Sequence, residues 1–156
     1  KDLKVSGVSM FELKCEADTG PVFSVDKFPI ANNETATTLY EKVRNSHVNL
    51  IRKNWFLLIS GKLIGEPQEE AFATYWEQRK PSDGEITKDM DVYEIDRLVR
   101  ALTHPYPGAF FFENGQKLMI WSGFITNVKN KKFDSNYLCR GDLCFEPVDY
   151  ELLDDF

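Results

Sequence analysis

Ala73-Thr74-Tyr75-Trp76-Glu77-Gln78-Arg79-Lys80-Pro81-Ser82-Asp83-Gly84-Glu85-Ile86 divides the chain into two kinds of sequence. Pro81 fixes its own φ, removes a backbone donor and disfavours helix at Lys80, and Ser82-Asp83-Gly84 supplies turn chemistry. No helix runs through such a stretch, so it predicts a joint between two modules. Tyr75, Trp76, Arg79 and Lys80 stand just before the proline. Two readings of them are open: aromatics wedged between modules with solvated bases, or the lining of a groove.

Upstream of the joint, Asn32-Asn33-Glu34-Thr35 offers N-cap candidates. Leu39, Val43, Leu50, Asn54, Leu57 and Leu58 then fall at helical spacing, and Gly61 suits a left-handed cap. These features predict an amphipathic helix over about residues 35–59, packed on a sheet, followed by an extended connection over 61–72. Further upstream, Val5–Leu13 and Pro21–Ile30 read as strands. Between them Cys15-Glu16-Ala17-Asp18-Thr19-Gly20 is an acidic loop closing on glycine.

Downstream, Asp91 and Glu94 have capping-box spacing. Val92, Ile95, Leu98, Val99 and Leu102 form an apolar helical face that Pro105 ends. Four β-rich runs follow: Gly108–Phe112, Lys117–Trp121, Phe124–Val128 and Leu143–Val148. Asn114-Gly115, an Asn/Lys cluster and Arg140-Gly141-Asp142 separate them, as in a small barrel or curled sheet. Glu146, Asp149, Glu151, Asp154 and Asp155 read as a solvated acidic end. The fold class expected is α/β followed by small β.

The chain has 156 residues, 42% hydrophobic and 28% charged, which suits one ordinary domain or two small ones. Nineteen bases against 25 acids give a net charge of −6. That sign makes a nucleic-acid partner unlikely, because phosphate tracking draws on a basic face. Cys15, Cys139 and Cys144 are odd in number and imply no disulfide framework, and with His47 and His104 they make no zinc set. No apolar run of membrane-spanning length and no signal-peptide pattern is present, so a cytoplasmic protein with no membrane partner is expected. The chain starts at Lys1 almost directly in strand-like sequence, which suggests a piece of something longer.

Three stretches in this order resemble the tetrahydrofolate-dependent formyltransferases, a family that includes methionyl-tRNA formyltransferase and the amino-sugar N-formyltransferases. They are Gly7-Val8-Ser9-Met10-Phe11 with Asp18-Thr19-Gly20-Pro21-Val22; Gly61 and Gln68 with Tyr75-Trp76 and Arg79–Gly84; and Ile95–Leu102 with Pro105–Phe110. The resemblance implies that residues 1–75 are the second half of a Rossmann-like catalytic domain. It implies a linker at 76–90 and an OB-like C-terminal barrel at 91–156. Such enzymes pass the formyl group of 10-formyltetrahydrofolate to an amine, using Asn, His and Asp for oxyanion and proton handling. Asp18 falls on the family's Asp, and Glu16, Ala17, Thr19 and Gly20 on the loop beside the pterin.

The family's Asn-x-His-x-Ser lies upstream of its Asp and is not among these residues. Asn45-Ser46-His47 is no replacement, because residues two apart on a helix point about 200° from each other. His47 reads as a helix residue partly packed on the sheet, and His104 as a partner of a helix C-terminus. Tyr75 and Arg79 are acceptor-binding candidates, an aromatic face and a guanidinium fork suited to a base and a phosphate or carboxylate. Thr103–Phe110 is similar to amino-sugar members, so a nucleotide-linked amino sugar is the acceptor expected, with methionyl-tRNA as the alternative. A non-catalytic interaction module is the alternative of another class. An exposed sheet edge over residues 5–13 would then pair with a second copy, as a homodimer, or with the missing N-terminal half.

Overall fold

The computed structural model describes residues 1–113, 115–127 and 138–154. Contacts divide the chain into two compact units, one of residues 1–32 and 38–77, the other of 33–37 and 78–156. Asn114, Val128, the Asn/Lys cluster and Asp155, which enter the expectations above, lie outside the described residues.

In the first unit, β1 (Val5–Phe11) and β2 (Val22–Pro29) form an antiparallel pair in which Val8 faces Asp26. In β1, Val8 is buried and Ser9 exposed, while Met10 and Phe11 are both half-buried. Glu66 bridges antiparallel to Val22, so the connection after the helix returns beside β2. All these pairings are antiparallel.

Helix α1 (Ala36–Ile59) matches the expected span. Its inner stripe is Leu39, Val43, Ser46, Leu50 and Asn54, half-buried at the first two positions and buried at the rest. The buried Asn54 amide donates to Leu50 O at 2.8 Å, which satisfies part of a polar group in that stripe. Leu57 and Leu58, expected in the stripe, are instead 47% and 45% exposed. The end is the expected left-handed cap: Gly61 has φ 65°, its N–H donates to Leu58 O, and Lys62 N–H donates to Leu57 O.

The second unit packs α2 (Val92–Leu102) on an antiparallel sheet of β3 (Ala109–Glu113), β4 (Gln116–Asn127), β5 (Leu138–Arg140) and β6 (Leu143–Asp154), in the order β3-β4-β6-β5. The capping box is formed: Asp91 Oδ1 accepts from Tyr93 and Glu94 N–H, and Glu94 accepts from Asp91 N–H, all at 2.8 Å. Ile95 and Val99 enter one core with Ile86, Ala109, Phe111, Leu118, Ile120 and Phe145. The architecture is thus mixed α/β with a curled antiparallel sheet. Asp83 accepts from Lys80 N–H at 2.8 Å in the short turn Pro81–Gly84. Ile86, just after it, is already a core residue.

Two expectations are corrected here, and the cysteines add one feature. Lys117–Trp121 and the described part of Phe124–Val128 are one strand, since β4 continues through register shifts flanking Ser122 instead of turning. One extra residue, Trp121, on β4 and one, Val148, on β6 bend the pair without breaking it. The acidic end is not simply solvated tail, because β6 carries Glu146, Asp149 and Glu151 along β4, where Glu151 pairs with Met119. Cys139 and Cys144, opposite each other on β5 and β6, are joined by a disulfide, which leaves Cys15 as the free thiol. It staples one hairpin and builds no framework.

Candidate functional site

The acidic loop joins β1 to β2, and its base is fixed by backbone packing. Glu12 N–H donates to Pro21 O at 3.0 Å. Gly20 is buried so close to Glu12 that a Cβ there would lie 1.6 Å from Glu12 O, so only glycine closes the loop. Within the loop, Thr19 Oγ1 donates to Glu16 O at 3.0 Å.

Asp18 stands at the turn with φ 58°, a left-handed conformation that Asp adopts more readily than most residues. Its side chain is exposed, as are those of Glu16, Ala17 and Thr19. From outside the loop, the Gln68 amide donates to Asp18 O at 2.7 Å and to Gly20 O at 2.8 Å. Glu66 and Val22 exchange backbone hydrogen bonds of 2.8 and 2.9 Å just before it. The five loop candidates therefore occupy one short turn whose backbone is tied on both flanks and whose side chains face solvent. The sequence marked Gln68 only as a landmark of the connection; a residue 48 positions from Gly20 carries no local signal of that contact.

Tyr75 is 84% exposed, and its hydroxyl donates to Glu70 Oε1 at 2.8 Å. That bond, with the negative charge of Glu70, raises the phenol above its ordinary range. Trp76 lies beneath the ammonium of Lys1, 4.8 Å from its ring centre. Arg79 belongs to the second unit and is exposed.

His47 is exposed on α1, not partly packed, and its Nδ1 meets Val43 O at 2.9 Å, one turn back. His104, past the end of α2, stacks on Trp121 with centroids 5.5 Å apart, and its carbonyl accepts from the Thr37 hydroxyl. Trp121 Nε1 is buried without a hydrogen-bond partner among the described residues. Among the described residues no three His, Cys, Asp or Glu side chains group to hold a metal ion, and no helix is long and apolar enough to cross a membrane.

Residues 79–138 match the family described as formyl transferase, C-terminal domain. Three solved structures share the fold over most of the chain. Methionyl-tRNA formyltransferase from Clostridium thermocellum is 21% identical with a TM-score of 0.66, over 98% of this chain and 58% of that one. HypX from Aquifex aeolicus, in complex with tetrahydrofolic acid, is 19% identical with a TM-score of 0.71, over 92% and 27%. An N-formyltransferase from Helicobacter canadensis, in complex with folinic acid and dTDP-3-aminofucose, is 21% identical with a TM-score of 0.60, over 96% and 55%.

Residues 79–138 thus match the C-terminal domain of the formyltransferases, and the fold of the chain is similar to that of these three proteins over most of its length. The chain spans a little over half the length of two of these relatives and about a quarter of the third.

Proposed function

We propose that this chain is part of an N-formyltransferase that moves a formyl group from 10-formyltetrahydrofolate to the amine of a nucleotide-linked amino sugar. The observation that carries the reading is the Asp18 turn, where an exposed carboxylate sits on a backbone held at both ends. The folate donor supplies an activated formyl group. The acceptor amine attacks the formyl carbon, the bond to N10 breaks, and the amine's proton is passed to the departing nitrogen. Asp18 serves proton movement, as a carboxylate that accepts a hydrogen bond from water or from an imidazole. Glu16, Ala17, Thr19 and Gly20 present the loop backbone to the pterin. Tyr75 and Arg79, both exposed, are the residues assigned to acceptor binding.

In this reading the first unit completes a Rossmann-like catalytic domain, the second is OB-like, and the protein works in the cytoplasm. Support comes from the family match and from folate-bound proteins of the same fold. The test is a calorimetric titration of the chain with 5-formyltetrahydrofolate, a stable donor analogue, with Asp18→Ala as control. Saturable binding lost in the control supports a formed folate loop, and no binding by the unaltered chain sinks it.

A second reading, an interaction module without its own catalysis, is favoured by apolar exposure. On α1, Ile51, Trp55, Phe56 and Ile59 are between 48% and 78% exposed. Beside β1 no second strand lies among the described residues. The partner proposed is a second copy or an N-terminal half of the enzyme. Sedimentation equilibrium that returns a monomer at all concentrations argues against the second copy.

A further inference from the structure

A left-handed non-glycine residue persists where its surroundings hold it, and Asp18 is one such residue, with φ 58°. At Asp18 the holding group comes from elsewhere in the chain. Residues 65–68 run beside the start of β2, fixed there by the reciprocal Val22 and Glu66 hydrogen bonds. Gly65 allows the approach, since a Cβ at that position would lie 2.7 Å from Pro21 Cβ. The run delivers Gln68, whose amide nitrogen meets two carbonyl oxygens, one on each side of Thr19. A primary amide has two hydrogens, so one nitrogen serves both acceptors. The opposite amide orientation would set an oxygen against two oxygens, so the acceptors dictate which end of Gln68 faces the loop.

We propose that Gln68 is the positioning residue of the Asp18 loop. By fixing the carbonyls of residues 18 and 20 it sets the Asp18–Thr19 and Gly20–Pro21 peptide planes. It thereby sets the direction in which the Asp18 carboxylate leaves the backbone. Gln68 acts through the loop and touches no reacting atom. The consequence for catalysis rests on the folate reading above; the consequence for the loop does not.

The test uses Gln68→Met, which keeps length and bulk without a donor, and Gln68→Glu, nearly the same shape but with a carboxylate facing two carbonyls at neutral pH. Two readouts are taken on the full chain: the ¹⁵N heteronuclear NOE and Asp18 Cα shift of residues 16–20 without ligand, and the affinity for 5-formyltetrahydrofolate. Expected is a fall in the NOE across 16–20 in both variants, a displaced Asp18 shift, and about tenfold weaker folate binding. If Gln68 only fills space, Gln68→Glu keeps the NOE, the shift and the affinity, and the proposal is overturned. An unaltered loop in Gln68→Met overturns it as well. Should the unaltered chain bind no folate, the functional reading falls, while the loop readout still decides the role of Gln68.

Discussion

Gly20 lies against the backbone of Glu12, and backbone cannot swing away as a side-chain tip would. Gly20→Ala is therefore expected to destabilise the first unit by about 3 kcal/mol, the upper end of ordinary overpacking. The melting temperature of that unit would fall by roughly 15 °C; an unchanged value by differential scanning calorimetry would show that the loop yields. Tyr75 gives a second prediction. Its raised pKa means that any support from the Glu70 contact is complete below the ordinary phenol range and is lost as pH rises through the raised value. In a 295 nm titration one tyrosine should ionise late, and Glu70→Gln should return it toward its fellows. At this scale the sequence told the kind of residue and not its geometry. Asp18-Thr19-Gly20 was legible as a turn, because its residue types suit one. That Gly20 needs the space beside Glu12, and that Gln68 reaches the loop, depend on contacts between distant segments.

Elements were legible where local chemistry decides them. Helix α2 has its capping box and apolar face because Asp91, Glu94, Ile95 and Val99 act within a few residues of one another. Asp91→Ala should cost about 1 kcal/mol, the usual worth of an N-cap, read as a lower denaturation midpoint with unchanged slope. A loss well below that would mean that core packing of Ile95 and Val99 alone fixes the start of the helix. Sheet elements were read less well. β4 resembles two runs because Ser122 and Gly123 interrupt its apolar pattern, yet a pair of bulges lets pairing with β6 continue. The acidic residues of β6 look like tail because charge dominates them, while Phe145, fully buried in the same strand, anchors it in the core. On α1 the apolar spacing ran on through Leu57 and Leu58, but periodicity cannot tell which neighbour is there to cover a face.

For the molecule as a whole, charge bears on the choice between acceptors that the fold leaves open. Relatives of the same fold include an enzyme named for methionyl-tRNA and one crystallised with a nucleotide-linked amino sugar. A tRNA ligand must have its phosphates neutralised, and the affinity gained falls steeply with salt, by roughly 0.7–0.9 in log K per contacted phosphate per log unit of salt. This chain carries 25 acids against 19 bases. Along β6 the exposed Asp149 and Glu151 add negative charge to the second unit, and Glu146 beside them is half-buried. The expected outcome of an electrophoretic mobility assay with unfractionated tRNA at physiological salt is therefore no retardation at micromolar chain. A nucleoside diphosphate sugar needs only one or two phosphates met, which exposed Arg79 and Lys80 can supply locally against an overall negative field. Arg79→Ala should accordingly weaken nucleotide-sugar binding about tenfold, the worth of one charge-assisted hydrogen bond, and leave the melting temperature within a degree or two. Retardation of tRNA with a salt slope of several units would reverse the preference and make the nucleic acid the better acceptor.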